Sequence, residues 1–568
     1  ARLLRAGVGC VRTAACLVAD LACRSLLALT VRHSRRMLIT LMKTGLFACM
    51  AGGLIGLVAA FVNAAPPNIV FVLVDDMGWT DLGCFGSTYY ETPNIDRLAA
   101  QGMRFTDAYS ACTVCSPSRA CLMTGQYPAR LRITDWIAGH KRPFAKLAVP
   151  DWTLRLAPEI PNLARTLKAA GYATASIGKW HLGDETCYPD KQGFDVNIGG
   201  YHRGQPPSYV APYKIPTLPE GPDGEFLTDR EAAEAARFMR EHRDRPFFIY
   251  LAHYAVHTPI AAKRQVFEKY KAKQDKENPH HNPTYAGLVE SVDDAMGVIL
   301  RTLDDLRLAD NTVIVFTSDN GGLIGCTSNR PLRVGKGSAY EGGVRVPLIV
   351  KWPGATAPGS VCSVPVIGAD FFPTLLAMAG VPQPAGHVVD GESLVPLLKQ
   401  NGTLARDAIY WHYPHYHPGG ATPYGAIRAG DFRLVEFYED RRVELYNLKD
   451  DIGETRDLAA SRPEQVEELK ARLHAWRERV GAQMPTPNPD YDPAKANQGP
   501  KARFSDPSSS SIPNRAPRSS ARIASSSSGC ACWNERASSV VWPAPRSSKS
   551  LIGARSKSAA TASSVAAR

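Results

Sequence analysis

The chain has 568 residues, 44% of them apolar, a globular composition that excludes a wholly disordered or collagen-like protein. Its formal charge of +12 invites a nucleic-acid reading, yet the excess sits at the ends, net +6 over residues 1–36 and net +9 over residues 501–568. The intervening chain is net −3, so a nucleic-acid partner loses its main support and none is expected.

Residues 1–41 are Arg-rich and read as an upstream extension foreign to the fold. Residues 42–65 combine Met42-Lys43, the apolar stretch Gly45 to Val62 and the small-residue end Val62-Asn63-Ala64, the three parts of a signal peptide. Gly52, Gly53 and Gly56 favour cleavage over a membrane anchor, so the chain is expected to be exported.

Asn68-Ile-Val-Phe-Val-Leu-Val74 is an unbroken apolar run of the kind that fills a strand buried on both faces, and it ends in Asp75-Asp76. Helices are expected at Pro93 to Ala100 and Pro161 to Ala170, each with Pro in its first turn and Gly beyond its end. Tyr172 to Ile177 and Phe247 to Ala252 read as further buried strands, and Thr228 to Arg243 and Tyr285 to Leu308 as helices. Thr312-Val-Ile-Val-Phe-Thr-Ser318 repeats the first strand's grammar and ends in Asp319-Asn320. Alternating helices and buried strands predict an α/β domain over residues 66–400 with a largely parallel sheet, whose C-terminal strand ends are where such folds bind ligands.

Beyond Leu398 the texture changes to short strand-like pieces, Ala408 to Trp411, Ala426 to Ala429, Phe432 to Phe437 and Val443 to Tyr446, followed by a helix from Pro463 to Val480. This predicts a small antiparallel α+β subdomain over 401–490. Residues 491–568 read as a tail: from 501 on, Ser, Ala and Arg follow no apolar period, a composition that cannot bury a core and that fits read-through of an over-extended frame. Of thirteen Cys, seven fall between Cys84 and Cys362; none forms a paired zinc signature, and Cys112-Thr-Val-Cys115 alone reads as a structural disulfide.

The sharpest local signal is Cys115-Ser-Pro-Ser-Arg119 followed by Thr124-Gly125. At these residues the chain resembles the sulfatase family of the alkaline-phosphatase-like superfamily, from about Asn68 to Leu458. Gly178-Lys179-Trp-His181-Leu-Gly183, His257-Thr-Pro259, Gly335-Lys336-Gly337 with Tyr340-Glu341-Gly342-Gly343, Asp370-Phe-Phe-Pro-Thr374 and Glu444-Leu-Tyr-Asn-Leu448 extend the match. The resemblance implies an alkaline-phosphatase-like α/β fold with a large mixed, mostly parallel sheet and the small C-terminal subdomain. It implies that a formylglycine-generating maturation enzyme oxidises Cys115 to formylglycine, whose hydrate is the nucleophile. One Ca2+ would be held by Asp75, Asp76, the modified Cys115, Asp319 and Asn320, a set of hard oxygen ligands.

The same resemblance gives Arg119 the task of orienting the diol, Lys179 that of pairing with sulfate and His181 that of taking a proton. It has His257 contact the sulfate and assist the leaving group, Lys336 hold the bridging oxygen or a sulfate oxygen as a compact point charge, and Asp319 double as a base. His253 has no counterpart and reads as structural. Trp411-His412-Tyr-Pro-His415-Tyr-His417 reads as loop packing or as a substrate-lining loop, without a catalytic role. The expected activity is sulfuric-ester hydrolysis of a sulfated carbohydrate or aryl sulfate, with specificity in loops near 184–228, 323–334 and 412–425. The alternatives are a phosphodiester or phosphonate ester hydrolase of the same superfamily and a non-catalytic sulfated-glycan binding protein. The oligomeric state is left open.

Overall fold

The computed structural model describes residues 66–498 and the short strand 540–542; the extension 1–41 and the signal-type segment 42–65 lie outside them. In chain order the main elements begin with β1 (Asn68–Val74), α1 (Pro93–Gln101), β2 (Met103–Phe105), α2 (Cys115–Thr124), α3 (Leu163–Ala169), β3 (Ala173–Gly178) and β4 (Val196–Ile198). They continue with α4 (Leu227–Glu241), β5 (Phe247–Ala252), α5 (Pro283–Asp305), β6 (Thr312–Ser318), β7 (Leu348–Lys351), β8 (Ser360–Cys362) and α6 (Phe371–Ala379). The small subdomain holds β9 (Ala408–Tyr413), β10 (Tyr424–Ala429), β11 (Phe432–Phe437), β12 (Val443–Asn447) and α7 (Pro463–Val480).

Eight strands form one sheet in the order β8-β2-β7-β6-β1-β5-β3-β4. The β6-β1-β5-β3-β4 run is parallel throughout, while β7 is antiparallel to both of its neighbours. All seven side chains of β1 are buried, and they alternate between two layers. Ile69, Phe71 and Leu73 pack with residues of α2, α3 and α6; Val70, Val72 and Val74 pack with residues of α1, α4 and α5. Full burial of each such side chain contributes about 1.5–3 kcal/mol, so β1 is firmly held.

The subdomain sheet runs β9-β10-β11-β12, antiparallel throughout. Trp411 donates its indole N–H to the Ser110 carbonyl at 2.9 Å, and the Trp476 ring meets Tyr127 edge-on at 5.0 Å. Arg433, fully buried, bonds Glu341 at 3.0 Å, Glu454 at 3.1 Å and the Ala339 carbonyl at 2.7 Å. A charge buried so deeply requires both carboxylates, and together they tie the subdomain to the 335–345 segment that carries Lys336.

Val540–Trp542 pairs in parallel with Ala261–Lys263, so the 501–568 tail contributes one short strand of β-favouring residues where its sequence shows no period. The seven described Cys are all free, Cys112 and Cys115 included, and the disulfide that their spacing suggested by itself is absent. Among the described residues no helix is long and apolar enough to cross a membrane.

Candidate active site

Parallel pairing sets the site. Val74 of β1 lies opposite Ser318 of β6, so Asp75-Asp76 and Asp319-Asn320 emerge side by side at the C-terminal edge. Asp76 adopts a left-handed backbone (φ 62°), and its N–H donates to Asp319 Oδ1 at 3.2 Å. Asp tolerates that conformation better than most residues. Next along the sheet, β5 runs on towards His257 and β3 runs directly into Lys179 and His181.

Opposite this edge stands the N-terminus of α2. Cys115 is its first residue, and its Sγ lies 3.7 Å from Asp75 Oδ1 and 3.5 Å from Lys336 Nζ. Arg119 follows four residues later on the same helix face. Its Nε bonds Asp319 at 2.8 Å, one guanidinium nitrogen lies 3.8 Å from Asp75, and another donates to the Lys179 carbonyl at 3.0 Å. The helix terminus adds positive potential at the same point.

The remaining cations also have carboxylates. Lys179 Nζ is 2.5 Å from Asp75, and Lys336 Nζ is 2.6 Å from Asp76. His257 Nε2 is 3.6 Å from Asp76, with its Nδ1 against the Thr258 carbonyl at 2.7 Å. Burial pushes the Asp76 carboxyl up, but Lys336, His257 and Lys179 outweigh it and hold Asp76 well below the usual carboxylate range. Asp75 goes the other way: burial, and then the repulsion of Asp319, raise it despite Lys179. Burial and Lys336 lower His257; burial and Lys179 lower His181, so both imidazoles are held neutral.

These residues fit a hard divalent cation. Ligand atoms of Asp75, Asp76, Cys115 and His257 all lie within 4.8 Å of one another. Asn320 donates its side-chain N–H to Asp76 at 2.7 Å, while its buried Oδ1 has no partner. An orphaned oxygen beside two carboxylates is a donor set such ions prefer. The compact group thus includes His257, which the sequence assigned to the sulfate and the leaving group rather than to the cation, while Asp319 faces Arg119.

The cluster opens into a cavity of about 400 Å³, lined by Cys115, Lys336, His181 and His257 below and by Trp136, His140, Arg203 and His417 nearer the mouth.

The sequence profile of the sulfatase family matches residues 67–381, more than half of the chain. The chain belongs to the sulfatase family. It is therefore a sulfuric-ester hydrolase with an alkaline-phosphatase-like fold. A second profile, that of the N-sulphoglucosamine sulphohydrolase C-terminal region, matches residues 334–481. A sulfatase of Formosa agariphila is 34% identical and covers 72% of this chain and 88% of its own. Human N-acetylgalactosamine-6-sulfatase is 36% identical over 61% of this chain and 68% of its own. The crystal structure of Ps i-CgsB with k-i-k-neocarrahexaose superposes with a TM-score of 0.62 at 31% identity, covering 72% of this chain and 93% of that one.

Within this sulfatase all of the sequence-proposed site residues converge on one edge, but several supports were not foreseen. Ser116 ties the site to the mouth by donating to the His181 carbonyl at 2.9 Å and accepting the Ile137 N–H at 3.1 Å. His181 Nε2 bonds the Ile137 carbonyl, leaving its buried Nδ1 without a partner. Gly204 lies on the His181 ring: a Cβ there would sit 2.5 Å from Cε1. His253, read as structural, is buried against Glu231 at 2.6 Å.

The segment Asp135-Trp-Ile-Ala-Gly-His140 lay outside the specificity loops read from sequence, yet it forms one cavity wall, with Trp136 Nε1 donating to His140 Nδ1 at 2.9 Å. An aromatic, a Gly and a His together in a loop were its one signal. The His-rich stretch divides: His412 bonds Tyr438 and the Gln483 carbonyl, His415 bonds Thr134, and His417 lines the cavity.

Proposed function

We propose that this sulfatase releases inorganic sulfate from a sulfated carbohydrate, with Cys115 converted to formylglycine by a maturation enzyme and one Ca2+ held at Asp75, Asp76, the modified Cys115, Asp319 and Asn320. The observation that carries this reading is the placement of Cys115 at the N-terminus of α2, between Lys336 and Asp75, at the floor of the cavity. The hydrated aldehyde supplies one hydroxyl for attack on sulfur and a second through which sulfate departs. The cation supplies charge neutralisation for the sulfate oxygens.

This chain's own residues do the rest. Arg119, held by Asp319 and the Lys179 carbonyl, fixes the group at position 115 by directed hydrogen bonds. Lys179 and Lys336 are preorganised cations for the charge of the ester, at no cost of reorientation during reaction. His181 carries its proton on Nε2, towards Ile137, so its bare Nδ1 is the nitrogen able to accept one. His257 lines the cavity and is the group assigned to the leaving oxygen. Asp319, bonded to Arg119, serves as the base towards the diol.

The carbohydrate part of the reading rests on the relatives: one is named for N-acetylgalactosamine 6-sulfate, and another was solved with a carrageenan-type oligosaccharide. Export rests on the segment 42–65. The test is turnover of sulfate, phosphate diester and phosphonate esters sharing one leaving group, by protein matured at Cys115. The expected result is a kcat/KM for sulfate at least about a hundredfold above the others, a difference of about 2.7 kcal/mol in transition-state binding. Higher turnover of a phosphorus ester would replace this reading with the phosphonate or phosphodiester one, and saturable glycan binding without turnover would replace it with a binding protein.

A further inference from the structure

The chemistry at the floor explains how one sulfate is held, but the mouth carries a cation that the reaction does not use. Lys336 and Arg203 are the Lys and Arg residues lining the cavity, and no Asp or Glu lines it. Lys336 is committed to Asp76. Arg203 is exposed and, among the described residues, makes no ion pair or hydrogen bond. His417, also near the mouth, does not add charge: burial and the neighbouring His140 push it down to about 3.

Arg203 is also held in place from below. Gly204, its neighbour, rests on the His181 ring, so the Arg203 backbone is one Cα step of about 3.8 Å from a contact with the sulfate pocket. On the other side His202 Nδ1 meets Tyr188 Oη at 2.9 Å, and buried Tyr201 packs edge-on against His202 at 5.2 Å. Gly200 and Asn197 exchange two hydrogen bonds of 3.0 Å that close the base of the loop. A pinned backbone thus presents a free planar guanidinium to a cavity wall without carboxylates. That is the arrangement that recognises an oxyanion in bidentate fashion.

We propose that Arg203 reads a second anionic group, a carboxylate or a further sulfate, on the sugar bearing the scissile sulfate or on the adjoining sugar. The enzyme is then selective for polyanionic over singly charged sulfate esters. This deepens the sulfatase reading above and rests on it.

The experiment uses matured wild-type enzyme, Arg203→Ala and Arg203→Lys on four substrates. These are 4-nitrophenyl sulfate, a monosulfated N-acetylhexosamine, its disulfated counterpart, and a monosulfated disaccharide containing a uronate. Wild type should favour at least one dianionic sugar over the monosulfated one by about tenfold or more in kcat/KM, the range of a charge-assisted hydrogen bond. Arg203→Ala should abolish that ratio, mostly through KM, and Arg203→Lys should keep part of it. The ratio should also shrink as salt is raised. Preference for the disulfated sugar identifies a sulfate as the second anion; preference for the uronate identifies a carboxylate. A wild-type enzyme without preference, or an Arg203→Ala variant that loses equally on all four substrates or keeps the ratio, overturns the proposal. Wild type inert on every sulfate ester, 4-nitrophenyl sulfate included, overturns the sulfatase reading itself, and this inference falls with it.

Discussion

The floor and the mouth of the cavity are built on opposite principles. At the floor, Asp75, Asp76 and Asp319 each face a cation, Lys179, Lys336 and Arg119 respectively, at 2.5, 2.6 and 2.8 Å, on the ends of strands buried on both faces. At the mouth, Trp136, His140, Arg203 and His417 come from three separate loops, where rings meet edge-on and Trp136 donates to His140. Paired buried charges cannot move apart without stranding one another, so the floor keeps one geometry. Loops with few ion pairs can change residue by residue without unfolding the sheet. The proposed chemistry therefore sits on paired buried charges, and the proposed selectivity on loops that are easier to replace.

The largest effect should follow from breaking the floor. Arg119→Ala leaves Asp319 and Asp75 buried without their guanidinium, and should cost about 3–5 kcal/mol in urea unfolding and at least about a thousandfold in kcat/KM. A loss below tenfold would mean that the floor is not one interlocked unit. A smaller effect is expected where the two regions touch. Gly204→Ala places a methyl group against the His181 ring and should lower kcat on the order of tenfold while leaving the melting temperature within a few degrees. Unchanged kcat would show that the mouth loop moves independently of the floor.

A third effect belongs to the support of the mouth. Asp135, buried under the Trp136–His140 wall, accepts Tyr413 Oη at 2.7 Å, and burial pushes its carboxyl up to about 7. A carboxyl whose folded value is raised favours the protonated form, so its contribution to stability is fully present below about pH 4 and is lost as pH rises towards 7. Asp135→Asn removes that dependence. The stability of wild type relative to the variant should fall by about 3 kcal/mol between pH 4 and 7, read from urea midpoints, and level off above about pH 8. A flat difference would place Asp135 in contact with water.

How far the sequence announced this molecule follows the same division. The bounds of β1, β5 and β6 agree with the apolar runs that mark them, because burial on both faces leaves little choice of residue, and those of β11 and of the amphipathic α7 agree as well. Helix α3 begins two residues later than its Pro suggested, since Asn162 caps it by accepting the Arg165 N–H at 3.0 Å. The strands β2, β4 and β8, three residues each, and the antiparallel β7 are too short to show a period and were not legible. Most of the proposed site residues reach one edge because they follow a strand or lie in the first turns of α2, while Lys336 is brought there by a loop. The wall at 135–140, the contact of Gly204 with His181 and the Glu231–His253 pair depend on loops meeting across long separations, which no local pattern encodes.

The central claim is that position 115 is the nucleophile in modified form. Its most direct test is the mass of the peptide carrying Cys115, taken from protein co-expressed with a formylglycine-generating enzyme beside a control sulfatase. The account predicts an aldehyde or its hydrate at position 115, with sulfate-ester turnover rising in proportion to the converted fraction. An unmodified thiol, in a preparation where the control sulfatase is converted, would contradict it.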